Sequence, residues 1–251
     1  MKRLCVLMLL SSMGSIACGS DDSDGDDGGA GGGGGDPKCA AQMGPLDPSA
    51  LIDDFEDGNA ALPRTAGRQS DWWLSTDETP AGVVTPAPGA LPPERIIGGR
   101  CDSLYGLRVS GQGFTQWGVV ATVVLRYEEG VGEVPMDLSN YRGLRFWARA
   151  GELNTATVRV GVHDVTSHPK GGVCKPDSTA TGEQCYDSFG SDLIQLGTGW
   201  TEYAIHFDRL QQRNFGVPAD ALDTKQVYQL DFAAAQDTIF DFWIDDLWLF
   251  E

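Results

Sequence analysis

Apolar and polar residues alternate at every second position through the middle and end of the chain. Across residues 143–151 (GLRFWARAG), Leu144 and Phe146 interleave with Arg145, Trp147 and Arg149, and in TVRVGVHDV, Val158, Val160 and Val162 interleave with Arg159, Gly161 and His163. A period of two with one apolar side is the signature of a half-buried strand. The same criterion predicts strands over residues 105–109, 117–126, 201–207, 226–233 and 239–250. No stretch keeps a helical period; residues 208–213 offer a turn or two. Many short strands separated by Gly, Pro and Asn predict an all-β chain, a two-sheet antiparallel β-sandwich of jelly-roll type. Residues 39–251, with 39–50 as a lead-in, are long enough for one such domain and its core.

The beginning of the chain breaks this pattern. Lys2 and Arg3 form a charged start, residues 4–10 are apolar, and small residues lead to Ser15-Ile16-Ala17-Cys18. Residues 1–17 resemble a bacterial lipoprotein signal peptide, cleaved before a lipidated Cys18, with Ser15 where such signals more often carry Leu. The apolar run is shorter than the roughly 20 residues that span a bilayer. Residues 19–38 are almost entirely Gly, Asp and Ser and cannot bury enough surface to offset their ordering entropy. As a Gly-rich coil, this tether reaches roughly 25 Å. The expected location is the cell envelope, lipid-anchored. Gly19-Ser20 lacks the acidic residue that retains some lipoproteins at the inner membrane, which favours the outer one.

Charge and cysteines narrow the partners. The chain carries 18 basic and 36 acidic residues; without residues 1–17 (Lys2, Arg3) and 19–38 (six Asp, Lys38) it keeps 15 and 30, a net of −15. No basic stripe is visible, so nucleic acid is not an expected partner. Of six cysteines, Cys5 leaves with the signal and Cys18 is the anchor. Four remain in an exported, disulfide-permissive chain, and four allow three pairings. Cys174 and Cys185 share one polar stretch and are expected to pair, leaving Cys39 with Cys101. Zinc is the rival use, but no CxxC spacing supports it. The expected state is monomeric.

Two long stretches stand between strands. Residues 79–95 are proline-rich and read as a stiff surface excursion, whereas residues 167–189 are polar and held by the expected Cys174–Cys185 bridge. Asp-Asp pairs sit inside apolar segments at both ends of the domain, in LIDDFED (residues 51–57) and FDFWIDDLWLFE (residues 240–251). Buried carboxylates need partners. Either calcium joins the first strand to the last through these oxygens, or the acids lie at strand ends in solvent. Adjacent Asp residues on a strand point to opposite faces, so neither pair presents two acids to one bond. No GxSxG, HExxH or Gly-rich strand-to-helix loop occurs, and the chain reads as no enzyme rather than a glycoside hydrolase.

LIDDFEDGN, DWW (71–73), WGVVATVVL (117–125), LSNYRGLRFWARAG (138–151), GWTEYAIHFDRLQQRNFG (199–216) and the closing FDFWIDDLWLF together resemble the successive strands of family 11 carbohydrate-binding modules and related jelly rolls. The resemblance implies a β-sandwich, a structural Ca2+ ion and a concave sheet face that binds a polysaccharide or oligosaccharide without catalysis. It carries the metal role to Asp54, Glu56, Asp245 and Asp246. Strand alternation nominates Arg145, Trp147, Arg149, Arg159, His163, His206 and Asp231 as outward-facing candidates for sugar contact. The resemblance adds Arg213 and Phe215. Aromatic faces stack on sugar rings, and Arg, Asp and His bond hydroxyls. The sequence departs from the pattern at Ala233 to Ala235, where cellulose-type members carry an aromatic. The alternative is a structural or protein-interaction module of the envelope.

Overall fold

The structure is a computed structural model and describes residues 47–153 and 156–251. The signal segment, Cys18, the tether, Cys39 and most of the lead-in lie outside the described residues. The strands, in chain order, are β1 (Leu51–Asp53), β2 (Trp72–Thr76), β3 (Val83–Thr85), β4 (Gly89–Ala90), β5 (Glu94–Arg100), β6 (Ser103–Gln112), β7 (Val119–Val124), β8 (Tyr127–Glu128), β9 (Gly132–Glu133), β10 (Gly143–Ala150), β11 (Thr157–Asp164), β12 (Phe189–Gly190), β13 (Ile194–Gln195), β14 (Thr201–His206), β15 (Val227–Ala234) and β16 (Phe240–Phe250). One sheet has the order β14-β10-β16-β6-β3, with β1 on β16 and β5 on β6. The second runs β12-β11-β15-β7-β2-β4, with β13 on β11; β8 and β9 form a separate hairpin. The pairings are antiparallel throughout, and the fold is the two-sheet β-sandwich expected from the alternation.

Alternation builds the core. On β10, Leu144, Phe146, Ala148 and Ala150 are buried, and on β11 Val158, Val160 and Val162 are too. Phe146 meets Phe232 of the other sheet edge-on at 5.1 Å. Trp72 is fully buried, with ring centres 5.7 Å from Phe55 and 6.2 Å from Phe232. β16 departs from simple alternation. Phe240, Phe242 and Ile244 fill the core, the register against β10 shifts, and Asp246 takes a left-handed φ of 46°. Leu247 and Leu249 thereby return to the core, as a bulge allows.

β1 pairs with β16, so the first and last strands lie side by side. The strand ends at Asp53, and Phe55 turns inward with a φ of 62°. Ile52 and Phe55 therefore both reach the core. For the same reason Asp54 and Glu56 do not share a strand face as two-residue spacing suggests. Residues 79–95 are likewise more than a surface excursion. β3 extends one sheet by pairing Val83–Thr85 with Gln112–Ser110, and β4 extends the other beside Trp73 and Leu74. Prolines there flank edge strands, where no ladder N–H is lost.

Candidate functional site

The sugar-contact candidates separate onto two outer faces. Arg145, Trp147 and Arg149 alternate with the core residues of β10, so they face outward from the first sheet; His206 on β14 pairs with Gly143 and meets Phe250 edge-on at 5.1 Å. Arg159, His163 and Asp231 point away from the core on the second sheet, with Arg213 and Phe215 beside it. Loop residues such as Tyr186, Ser188 and Gln211 cover them, so they are only 9, 1 and 8% exposed, not open to a sugar as alternation suggests. A sandwich places these sets on opposite sides, so one sugar chain cannot use both.

On the first face the aromatic rings already have partners. In register across three strands stand Arg149 (β10), Trp243 (β16) and Arg108 (β6). The Arg108 and Arg149 guanidiniums lie 5.2 and 5.4 Å from the Trp243 ring, one from each neighbouring strand. Arg149 also lies 5.2 Å from Trp200, and Arg100 lies 5.7 Å from Trp200 and 5.0 Å from Trp147. The result is a ladder of alternating Arg and Trp. Each such contact contributes about 0.5–2 kcal/mol. Asp241, buried beneath it, accepts from Arg108 Nε and Nη2 at 3.0 Å each. Arg145 Nε lies 3.4 Å from Glu202.

The metal candidates lie at one end of this ladder. Asp245 is fully buried; its Oδ2 accepts from Arg100 Nε at 2.8 Å and lies 2.7 Å from Ser103 Oγ, and its Oδ1 accepts from the Asp246 amide. Arg100 Nη2 donates to Asp246. Glu56 Oε1 accepts from the Leu104 and Tyr105 amides at 2.9 and 3.0 Å and lies 2.8 Å from Ser103 Oγ, whose one proton goes to it or to Asp245. Asp54 bonds only its own turn, through the Glu56 amide at 3.3 Å. The structure thus brings Glu56, Asp245 and Asp246 together and leaves Asp54 aside. Neighbouring Asp53, which sequence reasoning did not select, accepts from the Phe55 amide and Trp72 Nε1, both at 2.8 Å. Burial pushes the Asp53 and Asp245 carboxyls up to about 7, and Arg100 opposes that rise at Asp245. Calcium takes six to eight oxygens at 2.3–2.6 Å. As arranged, Glu56 Oε1, both Asp245 oxygens and Asp246 Oδ2 are engaged by protein donors.

The second sheet presents a different surface. Row by row, Arg159, Ala233, Val120 and Ser75 stand in register, followed by Gly161, Asp231, Thr122 and Trp73. Asp231 Oδ2 meets His163 Nε2 at 2.5 Å, and its Oδ1 accepts from Thr122 Oγ1 and Gln229 Nε2 at 2.8 Å. Burial alone would raise this carboxyl; His163 and the two donors hold it below its ordinary value. Arg159 lies flat across Gly190, where an added Cβ would stand 1.9 Å from its Cζ, and donates to Ser188 Oγ, Ser188 O and Gln211 O at 2.8–3.0 Å. Burial and the nearby Arg213 lower its pKa to about 10.

Loops wall this face on one side. Cys174 and Cys185 are disulfide-bonded, as expected from the sequence, and Cys101 is also disulfide-bonded. Buried Asp187 gathers the backbone amides of Arg213, Phe215 and Gly216 at 2.7–3.0 Å, which fixes the segment carrying Arg213. Phe215 itself is half-buried. Between that segment, residues 191–193 and the end of β15 lies a cavity of about 400 Å³ lined by Trp117, Arg159, Asp192, Leu193, Arg213, Ala233 to Ala235 and Gln236. Trp117 is 48% exposed, Trp73 52% and Tyr186 56%, so three aromatic rings on this side are open to a ligand. Sequence reasoning missed all three. Trp73 was findable, because it alternates with buried Trp72 and Leu74.

His168 lies below the same face. It stacks flat on Tyr228 at 4.6 Å, meets His163 edge-on at 6.3 Å, and its Nε2 stands 3.6 Å from Glu133. Burial, with His163 nearby, pushes its pKa down to about 4. A histidine held neutral in the fold but ordinary in the unfolded chain contributes stability above pH 6.5 that is lost as pH falls toward 4. The full loss is about 3 kcal/mol. Denaturant unfolding at pH 7.5 and 4.5 should show a smaller acid-induced loss for His168→Gln than for the wild type.

The family model for carbohydrate binding domain 30 matches residues 102–251. Among solved structures, a family 11 carbohydrate-binding module from Clostridium thermocellum in complex with a β-1,3-1,4-mixed-linked tetrasaccharide is similar at a TM-score of 0.50 and 16% identity, over 80% of this chain and 94% of that one. A family 30 module of a cellulosomal cellulase of Clostridium thermocellum is similar at a TM-score of 0.46 and 18% identity, over 71% and 90%. No curated protein matches the sequence.

Proposed function

The chain belongs to the carbohydrate binding domain 30 family and binds carbohydrate; we propose that it does so on the outer face of the second sheet, in the cavity edged by Trp117. The observation that carries this reading is the contrast between the two faces. Trp243 and Trp200 are each flanked by two guanidiniums, and Trp147 by one, whereas Trp117 stands exposed beside a cavity lined by Arg159, Asp192, Arg213 and Gln236 together with Leu193 and three alanines. A sugar ring stacks on the free face of Trp117, while Arg213, Asp192 and Gln236 bond its hydroxyls. Arg159, already bonded three times, holds the cavity floor in place. The small side chains of Ala233 to Ala235 leave room for a ring, and Trp117, on the neighbouring strand segment, supplies the aromatic. His163 and Asp231 bond each other beneath this surface, buried, with Tyr186 beside His163.

Neutral β-linked oligosaccharides are the first class to test, because the family 11 module of similar fold was solved in complex with a β-1,3-1,4-mixed-linked tetrasaccharide. A glycan array probed with the full chain should show retention on neutral β-linked oligosaccharides. Retention on none of the arrayed sugars would contradict the assignment.

The domain acts as a non-catalytic module in this reading. Asp53 and Asp245 are buried and committed to internal donors, which supports the absence of a hydrolytic carboxylate pair there. A monomer held to the outer membrane by lipid on Cys18 completes the proposal. Its support is the sequence of residues 1–38 alone. Mass spectrometry of the mature N-terminus should find a diacylglyceryl-modified, acylated cysteine; an unmodified Cys18 would contradict it.

A further inference from the structure

We propose that Arg100 is the resident counter-cation of the carboxylates that join the first strand to the last, so that the sandwich closes without calcium. Arg100 ends β5, after Gly98 and Gly99 turn the chain at φ of 83° and 69°, and pairs with Ser103 at the start of β6. That turn aims the side chain at β16. Its Nε bonds Asp245 at 2.8 Å and its Nη2 bonds Asp246, so one planar group reaches two successive carboxylates on a bulged strand. Glu56 joins through Ser103, whose hydroxyl lies 2.8 Å from Glu56 Oε1 and 2.7 Å from Asp245 Oδ2.

The surroundings are closed. The Arg100 side chain is 4% exposed and that of Asp245 is not exposed at all. Trp147 and Trp200 provide aromatic walls at 5.0 and 5.7 Å. A guanidinium is the cation suited to such a place, being weakly hydrated, planar and able to bond two carboxylates while lying against aromatic rings. A divalent ion placed among the same oxygens would stand beside a buried positive charge that water and salt cannot screen. Lone pairs a metal needs are also taken: Glu56 Oε1 accepts from the Leu104 and Tyr105 amides, Asp245 Oδ2 from Arg100 and its Oδ1 from the Asp246 amide, and the single Ser103 hydroxyl proton lies between Glu56 and Asp245. Arg100 thus links the Arg/Trp ladder to the strand junction.

Thermal unfolding of the full chain, with chelator and with millimolar calcium chloride, tests this. The wild-type midpoint should be the same in both solutions, and Arg100→Gln should lower it by roughly 6–20 °C in chelator, the range expected for stranding one side of a buried ion pair. A wild-type midpoint that rises by several degrees with calcium would overturn the proposal, and this arm needs no variant. If Arg100→Gln does not fold, Arg100→Lys, which keeps the charge but cannot bridge two carboxylates, should unfold at a midpoint below wild type. A lysine variant equal to wild type would also overturn it.

Discussion

Trp72→Ala is expected to lower the stability of the domain by about 4–6 kcal/mol, the largest effect of any single core substitution considered. Trp72 is fully buried on β2, packs on Phe55 and Phe232, and donates its indole N–H to Asp53 at 2.8 Å. Removing the ring leaves a cavity and strips one donor from a carboxylate that is itself only 1% exposed. Because Asp53 belongs to the first sheet and Trp72 to the second, the bond also fastens one sheet to the other. Trp72→Phe keeps most of the volume and loses the hydrogen bond alone. It should cost about 1–3 kcal/mol. Denaturant unfolding of both variants separates the two contributions; equal losses would mean that the Asp53 bond, not the packing, dominates.

Trp117→Ala is expected to weaken oligosaccharide binding at least tenfold while leaving the unfolding midpoint within about 2 °C of the wild type. The ring is half exposed at the cavity edge, so its loss removes ligand contact without opening the core. A tenfold loss corresponds to about 1.4 kcal/mol, within the range that truncating an aromatic anchor reaches. Arg213→Ala should weaken binding in the same direction, since Asp187 holds that loop through backbone amides and not through the Arg213 side chain. Calorimetric titration with a neutral β-linked oligosaccharide reads both. Undiminished affinity in both variants would remove the cavity from the binding site.

Much of the fold was legible in period-two alternation. β10, β11, β15 and β16 are strands, and Arg145, Trp147, Arg159, His163 and Asp231 leave the core as alternation requires. Alternation says which residues face outward but not from which sheet, because a strand's partners are set by contacts distant in the chain. For that reason the sugar-contact candidates separated onto two faces. The pattern misled at Trp117: a strand over 117–126 gives it the parity of buried Val119, Ala121 and Val123, but β7 begins only at Val119 and the Trp117 ring is 48% exposed. Arg100 was hidden for a related reason. It follows two glycines at a strand end, where no alternation points the side chain, and its partners come from 145 residues later in the chain. Asp54 and Glu56 were placed on one face by strand spacing that stops applying once β1 ends at Asp53.

Amide chemical-shift mapping of the full chain during titration with a neutral β-linked oligosaccharide tests the central assignment most directly. Shifts should concentrate at residues 117–122, 159–163, 191–193, 213 and 231–236, with the amides of 145–149, 200–204 and 243 unmoved. Shifts concentrated on the Arg/Trp ladder instead would place the sugar on the first sheet and contradict the account.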